Sequence, residues 1–94
     1  MSLEGADAGT AAAARRRLRW RCRRGTKELD LLLERFLAVG FEALDAEGRA
    51  AFERLLALED HFLQDWLING QLPTDRELRW IVERIRRTEL SPPP

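Results

Sequence analysis

The chain has 94 residues, enough for one domain and too few for a second core that would frame a cleft between lobes. Hydrophobic residues make up 45% and charged residues 34%, which excludes a disordered chain and suits a soluble domain built from amphipathic helices. Formal net charge is zero, yet eight of the 16 basic residues lie between Arg15 and Lys27 with no acid among them, whereas Glu28 to Asp75 holds 11 acids against Arg35, Arg49 and Arg54.

Met1 to Thr10 is dominated by Gly, Ala, Ser and acid without periodicity, so residues 1–10 read as a disordered tail. Ala11 to Arg24 consists of good helix formers. Its apolar stripe is thin (Ala11, Ala14, Leu18, Cys22), arginines fill most of the rest, and Gly25 ends it. A second helix is expected from Lys27 to about Val39, where Leu29, Leu32, Leu33, Phe36 and Leu37 recur at i, i+3, i+4, i+7 and i+8. Gly40 stands where a left-handed C-terminal residue belongs, with Phe41 packing in the following turn.

Asp45 is a suitable N-cap for a third helix, with Phe52, Leu55 and Leu56 on its inner face. Glu59-Asp60 opens a short fourth helix that places Leu63, Trp66 and Leu67 in the core, and Gly70 stops it. Thr74 with Glu77 three residues later reads as a capping box for a fifth helix, whose buried stripe is Leu78, Ile81, Val82 and Ile85. Trp80 falls off that stripe. Ser91-Pro92-Pro93-Pro94 cannot continue a helix, so residues 91–94 read as a second tail. No segment alternates at period two. The expectation is an all-α fold: one compact bundle of about five short helices over residues 11–90.

A single cysteine, Cys22, rules out an internal disulfide and fits a reducing, cytoplasmic setting. No stretch approaches the ~20 apolar residues of a membrane span. Arg16-Arg17 is followed by further arginines rather than an apolar run, which argues against a twin-arginine export signal. One cysteine and one histidine, His61, cannot build a tetrahedral metal site or a catalytic triad. There is no glycine-rich phosphate loop, and short connections leave no long lid. The residues therefore point to a binding protein rather than an enzyme.

The turn Arg24-Gly25-Thr26-Lys27-Glu28 is the first candidate surface. Gly25 lets another backbone approach closely, Arg24 offers a planar fork of five donors, and Glu28 can accept. Ordinary helix punctuation accounts for the same residues: a cation at a helix C-terminus, a C′ glycine, an N-cap threonine and an anion near a helix start. The run Arg15 to Arg24 with Trp20 is the second candidate. Arginines interleaved with an aromatic can clamp phosphates and stack a base, but zero net charge and the lack of further aromatic platforms favour a solvated or protein-facing helix over a nucleic-acid module.

Arg19-x-Arg21-Cys22-Arg23-Arg24-Gly25-x-x-Glu28-Leu29-Asp30 resembles the signature of succinate dehydrogenase assembly factors of the SdhE type. The run Phe52-Glu53-Arg54-Leu55-Leu56-x-Leu58-Glu59-Asp60-x-x-Leu63-x-x-Trp66-Leu67 is similar to the family's second half, as is Leu78-x-x-Ile81-Val82-x-x-Ile85. The resemblance implies a non-catalytic helical protein that binds the flavoprotein subunit of succinate dehydrogenase, and in bacteria that of fumarate reductase, and promotes covalent attachment of FAD. FAD is then the client's cofactor, with none bound stably here. The implied partners include no nucleic acid and no membrane, and the chain is expected to be a monomer. Arg24, Gly25 and Glu28 fall on the motif, with Arg19, Arg23 and Asp30 adjacent as partner-binding residues. Thr26 departs from the bulky apolar residue that many relatives carry after the glycine.

Overall fold

The structure is a computed structural model that describes residues 2–90, with side chains described over residues 12–88. Its elements are α1 (Ser2–Arg21), α2 (Lys27–Val39), a 3-10 turn (Phe41–Ala43), α3 (Ala46–Leu56), α4 (Asp60–Leu63), a π-helical turn (Gln64–Ile68) and α5 (Arg76–Leu90). Among the described residues there is no strand, and the five helices form the single all-α bundle expected from the periodicity. α1 starts at Ser2, ahead of the expected Ala11. The side chains of the tail read over residues 1–10, and the whole of the tail read over 91–94, lie outside the described residues.

The core follows the apolar stripes. Leu29, Leu33 and Phe36 of α2, Phe52 and Leu55 of α3, Leu63 of α4, and Ile81, Val82 and Ile85 of α5 are all fully buried. α5 packs against both α2 and α3. Phe52 sits between Phe36 and Phe41, with ring centroids 5.2 and 5.7 Å away and the rings tilted, so the face-to-face sandwich that aromatic quadrupoles disfavour is avoided. Leu18 and Cys22 close the core from α1. Phe41 is buried in the turn after α2, as its position implied.

Three local expectations are corrected. Gly40 is right-handed, at φ −112°, so it is no left-handed cap. Its need for glycine is steric: a Cβ there would meet Cε1 of Phe36 at 2.6 Å. The cap of α5 is Asp75 rather than Thr74. The Leu78 N–H donates to Asp75 Oδ1 at 2.9 Å, while Glu77 turns away to pair with Arg54. Finally, α4 widens into the π turn, where the Asn69 N–H reaches back to the Gln64 carbonyl at 2.9 Å. One wide turn rotates the residues within it. Leu63 and Leu67 stay buried, whereas Trp66 is only half-buried against the core, beside Phe62 at 5.5 Å.

Candidate partner-binding site

The α1–α2 turn is fixed from both sides. α1 closes with the Cys22 N–H donating to Leu18 and Arg19 carbonyls and the Arg23 N–H to the Trp20 carbonyl. The chain then reverses through Gly25 at φ +86°, a left-handed conformation that costs other residues ~1–2 kcal/mol. Thr26 is extended and makes no side-chain capping bond. Asp30 does the tying instead: its Oδ1 accepts from the Arg24 N–H at 2.6 Å, across the turn. The carboxylate in the first turn of α2 thus holds the last residue before the glycine.

Arg24 points inward. Its Nε donates to Asp60 Oδ1 at 2.7 Å, its Nη1 to the carbonyls of Arg21 at 3.0 Å and Leu56 at 2.9 Å, and its Nη2 to the Leu58 carbonyl. Only 12% of the side chain is exposed. The planar fork expected to reach a partner instead caps the C-terminal end of α3 and ties α1 to α4. Arg24 was marked by its place before Gly25, whereas nothing marked Asp60 as its partner. Asp60 stood within the second family-like run and at the start of α4, but no local pattern links it to a residue 36 positions earlier.

The remaining candidates face solvent. Gly25 is exposed, and a Cβ built on it would meet nothing within 4 Å. Glu28 and Lys27 are exposed, and among the described residues neither side chain has a hydrogen-bond or ion-pair partner. Arg23 Nε lies 3.8 Å from Glu34 Oε2, and its guanidinium sits 5.3 Å from the centre of the Trp20 ring. Arg19 is exposed on α1 one turn earlier. The structure therefore joins Arg24 and Asp30 as a clamp and leaves Gly25, Glu28, Arg23 and Arg19 on the outside of the turn that clamp holds.

The other reactive groups are quiet. Cys22 is fully buried, and burial, followed by the nearby Glu34 charge, pushes its thiol up to about 12. A neutral buried thiol is a poor nucleophile. His61 is exposed, 3.8 Å from Glu59, with its ring 4.1 Å from that of Phe62. Trp80 is 43% exposed and lies across Gly48, where a Cβ would meet its ring at 3.2 Å. Among the described residues no helix is long and apolar enough to cross a membrane.

Comparison with known proteins covers the same region. The family model described as "Flavinator of succinate dehydrogenase" matches residues 16–89. The FAD assembly factor SdhE of Coxiella burnetii is 39% identical over 74 residues, spanning 79% of this chain and 90% of the relative. The protein of the same name from Legionella pneumophila is 42% identical over 73 residues, 78% of this chain and 91% of the relative. That of Pseudomonas aeruginosa is 41% identical over 70 residues, 74% of this chain and 83% of the relative. These relatives are named for assembly rather than catalysis.

Proposed function

We propose, on the premise that this chain belongs to the succinate dehydrogenase flavinator family, that it binds the flavoprotein subunit of succinate dehydrogenase and promotes covalent attachment of FAD to it. The chain is an assembly factor and not an enzyme. The observation that carries the binding reading is the clamped turn: Arg24 and Asp30 hold it from inside, and Gly25 and Glu28 stand unobstructed outside. A surface that is rigid before binding loses little entropy on docking.

The mechanism follows from differential affinity. A binding protein shifts its client between conformations only by binding one of them more tightly. Gly25 admits the client's backbone at close range. Glu28 accepts a charge-assisted hydrogen bond, and Arg23 and Arg19 offer donors beside it. Arg24 and Asp30 act as positioning residues. The linkage chemistry belongs to the client, whose FAD this chain helps to fix without holding a cofactor of its own. The flavoprotein of fumarate reductase is a second client of the same chemistry. The working form is a monomer in the cytoplasm, a setting that suits its free cysteine.

The test is co-expression of the chain with a flavoprotein subunit in a host lacking its own assembly factor, reading covalent flavin fluorescence in a denaturing gel. Wild type raises the fluorescence. Gly25→Arg abolishes the rise while the bundle stays folded: the left-handed backbone costs the new residue ~1–2 kcal/mol, but its side chain projects into open space and displaces nothing. Equal fluorescence with and without the wild-type chain overturns the reading. An unfolded Gly25→Arg variant assigns the glycine to structure alone.

A further inference from the structure

The arginines of α1 are of two kinds. Arg15 pairs with Glu42 and donates from Nη2 to the Leu37 carbonyl at 3.2 Å. Arg21 donates to the Glu53 carbonyl at 3.1 Å, with Nη1 3.9 Å from the Glu53 carboxylate. These two flank Leu18 and Cys22 and fasten α1 to the bundle. Arg16, Arg19 and Trp20 follow the helical spacing i, i+3 and i+4, and Arg23, just past the end of α1, lies over Trp20, so the four form one stripe. That stripe lies on the side of the helix away from the buried Leu18 and Cys22.

The outer stripe has features that solubility does not require. Trp20 is 70% exposed. Arg23 stacks over it at 5.3 Å, a cation–π contact that orients both side chains in advance. Arg16 and Arg19 are exposed and have no partner among the described residues. The four side chains line a shallow groove of about 220 Å³, room for one or two partner side chains. Arg23 leads directly into Arg24-Gly25, so the stripe is continuous with the clamped turn.

We propose that the stripe Arg16–Arg19–Trp20–Arg23 is a docking surface for a carboxylate-rich segment of the flavoprotein client. This rests on the function proposed above and adds to it the chemistry of the segment recognised. The charge of the stripe calls for an anionic partner, and its planar guanidinium groups match carboxylates in a bidentate manner. Protein carboxylates fit better than a phosphodiester chain for two reasons. A single-stranded nucleic acid is tracked by several stacking platforms along a basic groove, whereas this stripe has one aromatic. The basic track is also interrupted by Glu34 beside Arg23 and is followed by the free Glu28. Carboxylates at this end of the molecule are drawn in by its charge, and Trp20 supplies the contact that retains them.

The experiment measures association and dissociation of the purified apo flavoprotein subunit with the wild-type chain, Arg16→Glu/Arg19→Glu, and Trp20→Ala, at low and at physiological salt. The double reversal is expected to slow association about tenfold or more at low salt and to flatten the salt dependence, since a rim charge acts on encounter. Trp20→Ala is expected to speed dissociation about tenfold, the effect of losing an aromatic anchor. Circular dichroism melts of both variants should match wild type, because the stripe faces solvent. If the wild type binds the client and both variants bind it with wild-type kinetics, this inference falls and the proposed function stands. If the wild type itself does not bind, both fall. If single-stranded RNA binds the wild type and not the double reversal, while client kinetics are unchanged, the stripe is a nucleic-acid surface and the inference is overturned.

Discussion

Arg24 is the residue whose meaning changes most between chain and fold. Its type and its place before Gly25 were legible, because a cation followed by glycine is a common helix ending. Its direction was not, because the carbonyls of Leu56 and Leu58 and the carboxylate of Asp60 come from a distant part of the chain. Arg24→Ala removes every side-chain donor and strands two carbonyls at the end of α3. The expected loss is about 2–4 kcal/mol, measured as a lowered melting temperature by circular dichroism. Arg24→Lys should recover only part of it, since one ammonium lacks the fork that reaches all these acceptors. A wild-type melt for Arg24→Ala would show that the clamp does not hold the turn. Cys22 differs in the same way: its stripe position was legible, and the depth of burial that keeps its thiol neutral was not.

Helices were legible where their apolar period is long and clean, and least so at their ends. α2 and α5 fall where their stripes put them, because a run of i, i+3, i+4 positions is a local property. Gly40 shows how an end misleads. Helix interiors usually gain from Gly→Ala, but Gly40→Ala pushes a methyl into the ring of Phe36, which is fully buried and packed at a tilt against Phe52. The expected result is a loss of about 1–3 kcal/mol from overpacking, read as a lower denaturant midpoint at unchanged slope. An unchanged midpoint would mean that the ring yields freely.

The start of α5 carries a pH dependence. The backbone N–H of Leu78, then Arg54, hold the Asp75 carboxyl below its ordinary value of 3.8. A carboxylate depressed in the folded state stabilises above its unfolded pKa, and this contribution is lost as pH falls through the lower folded value. Asp75→Asn should therefore be less stable than wild type near neutrality and converge with it in acid, below about pH 4. Parallel stability curves for the two proteins through that range would remove Asp75 as the source. Thr74 was the natural choice from the sequence. Arg54 of α3, 3.1 Å from Asp75 Oδ2, is a second partner that the local sequence does not show.

Across the whole molecule, one aromatic joint holds the bundle. Phe52 contacts the rings of Phe36 and Phe41 and stands where α3 meets the rest of the core. Phe52→Ala should destabilise by about 3–5 kcal/mol, a large share of the 5–15 kcal/mol typical of a domain. Thermal unfolding followed by far-ultraviolet dichroism should show the whole helical signal melting earlier. Loss confined to one part of the signal would mean that the bundle is not a single cooperative unit.

The sequence alone determined the number and order of the core helices, their buried stripes and the basic first helix, and its motif pointed to the family. Each of those depends on spacing within a few turns of chain, and helical periodicity writes such spacing directly into residue order. Only the tertiary structure decided which arginines serve the fold and which face outward, why Gly40 must be glycine, and why Trp66 is only half-buried. The arginines depend on what a distant segment brings within reach of a long side chain, and such a partner is chosen by distance in space and not along the chain. Gly40 and Trp66 depend on near neighbours, but on how the buried core sets the Phe36 ring and on one widened turn, and helical periodicity encodes neither.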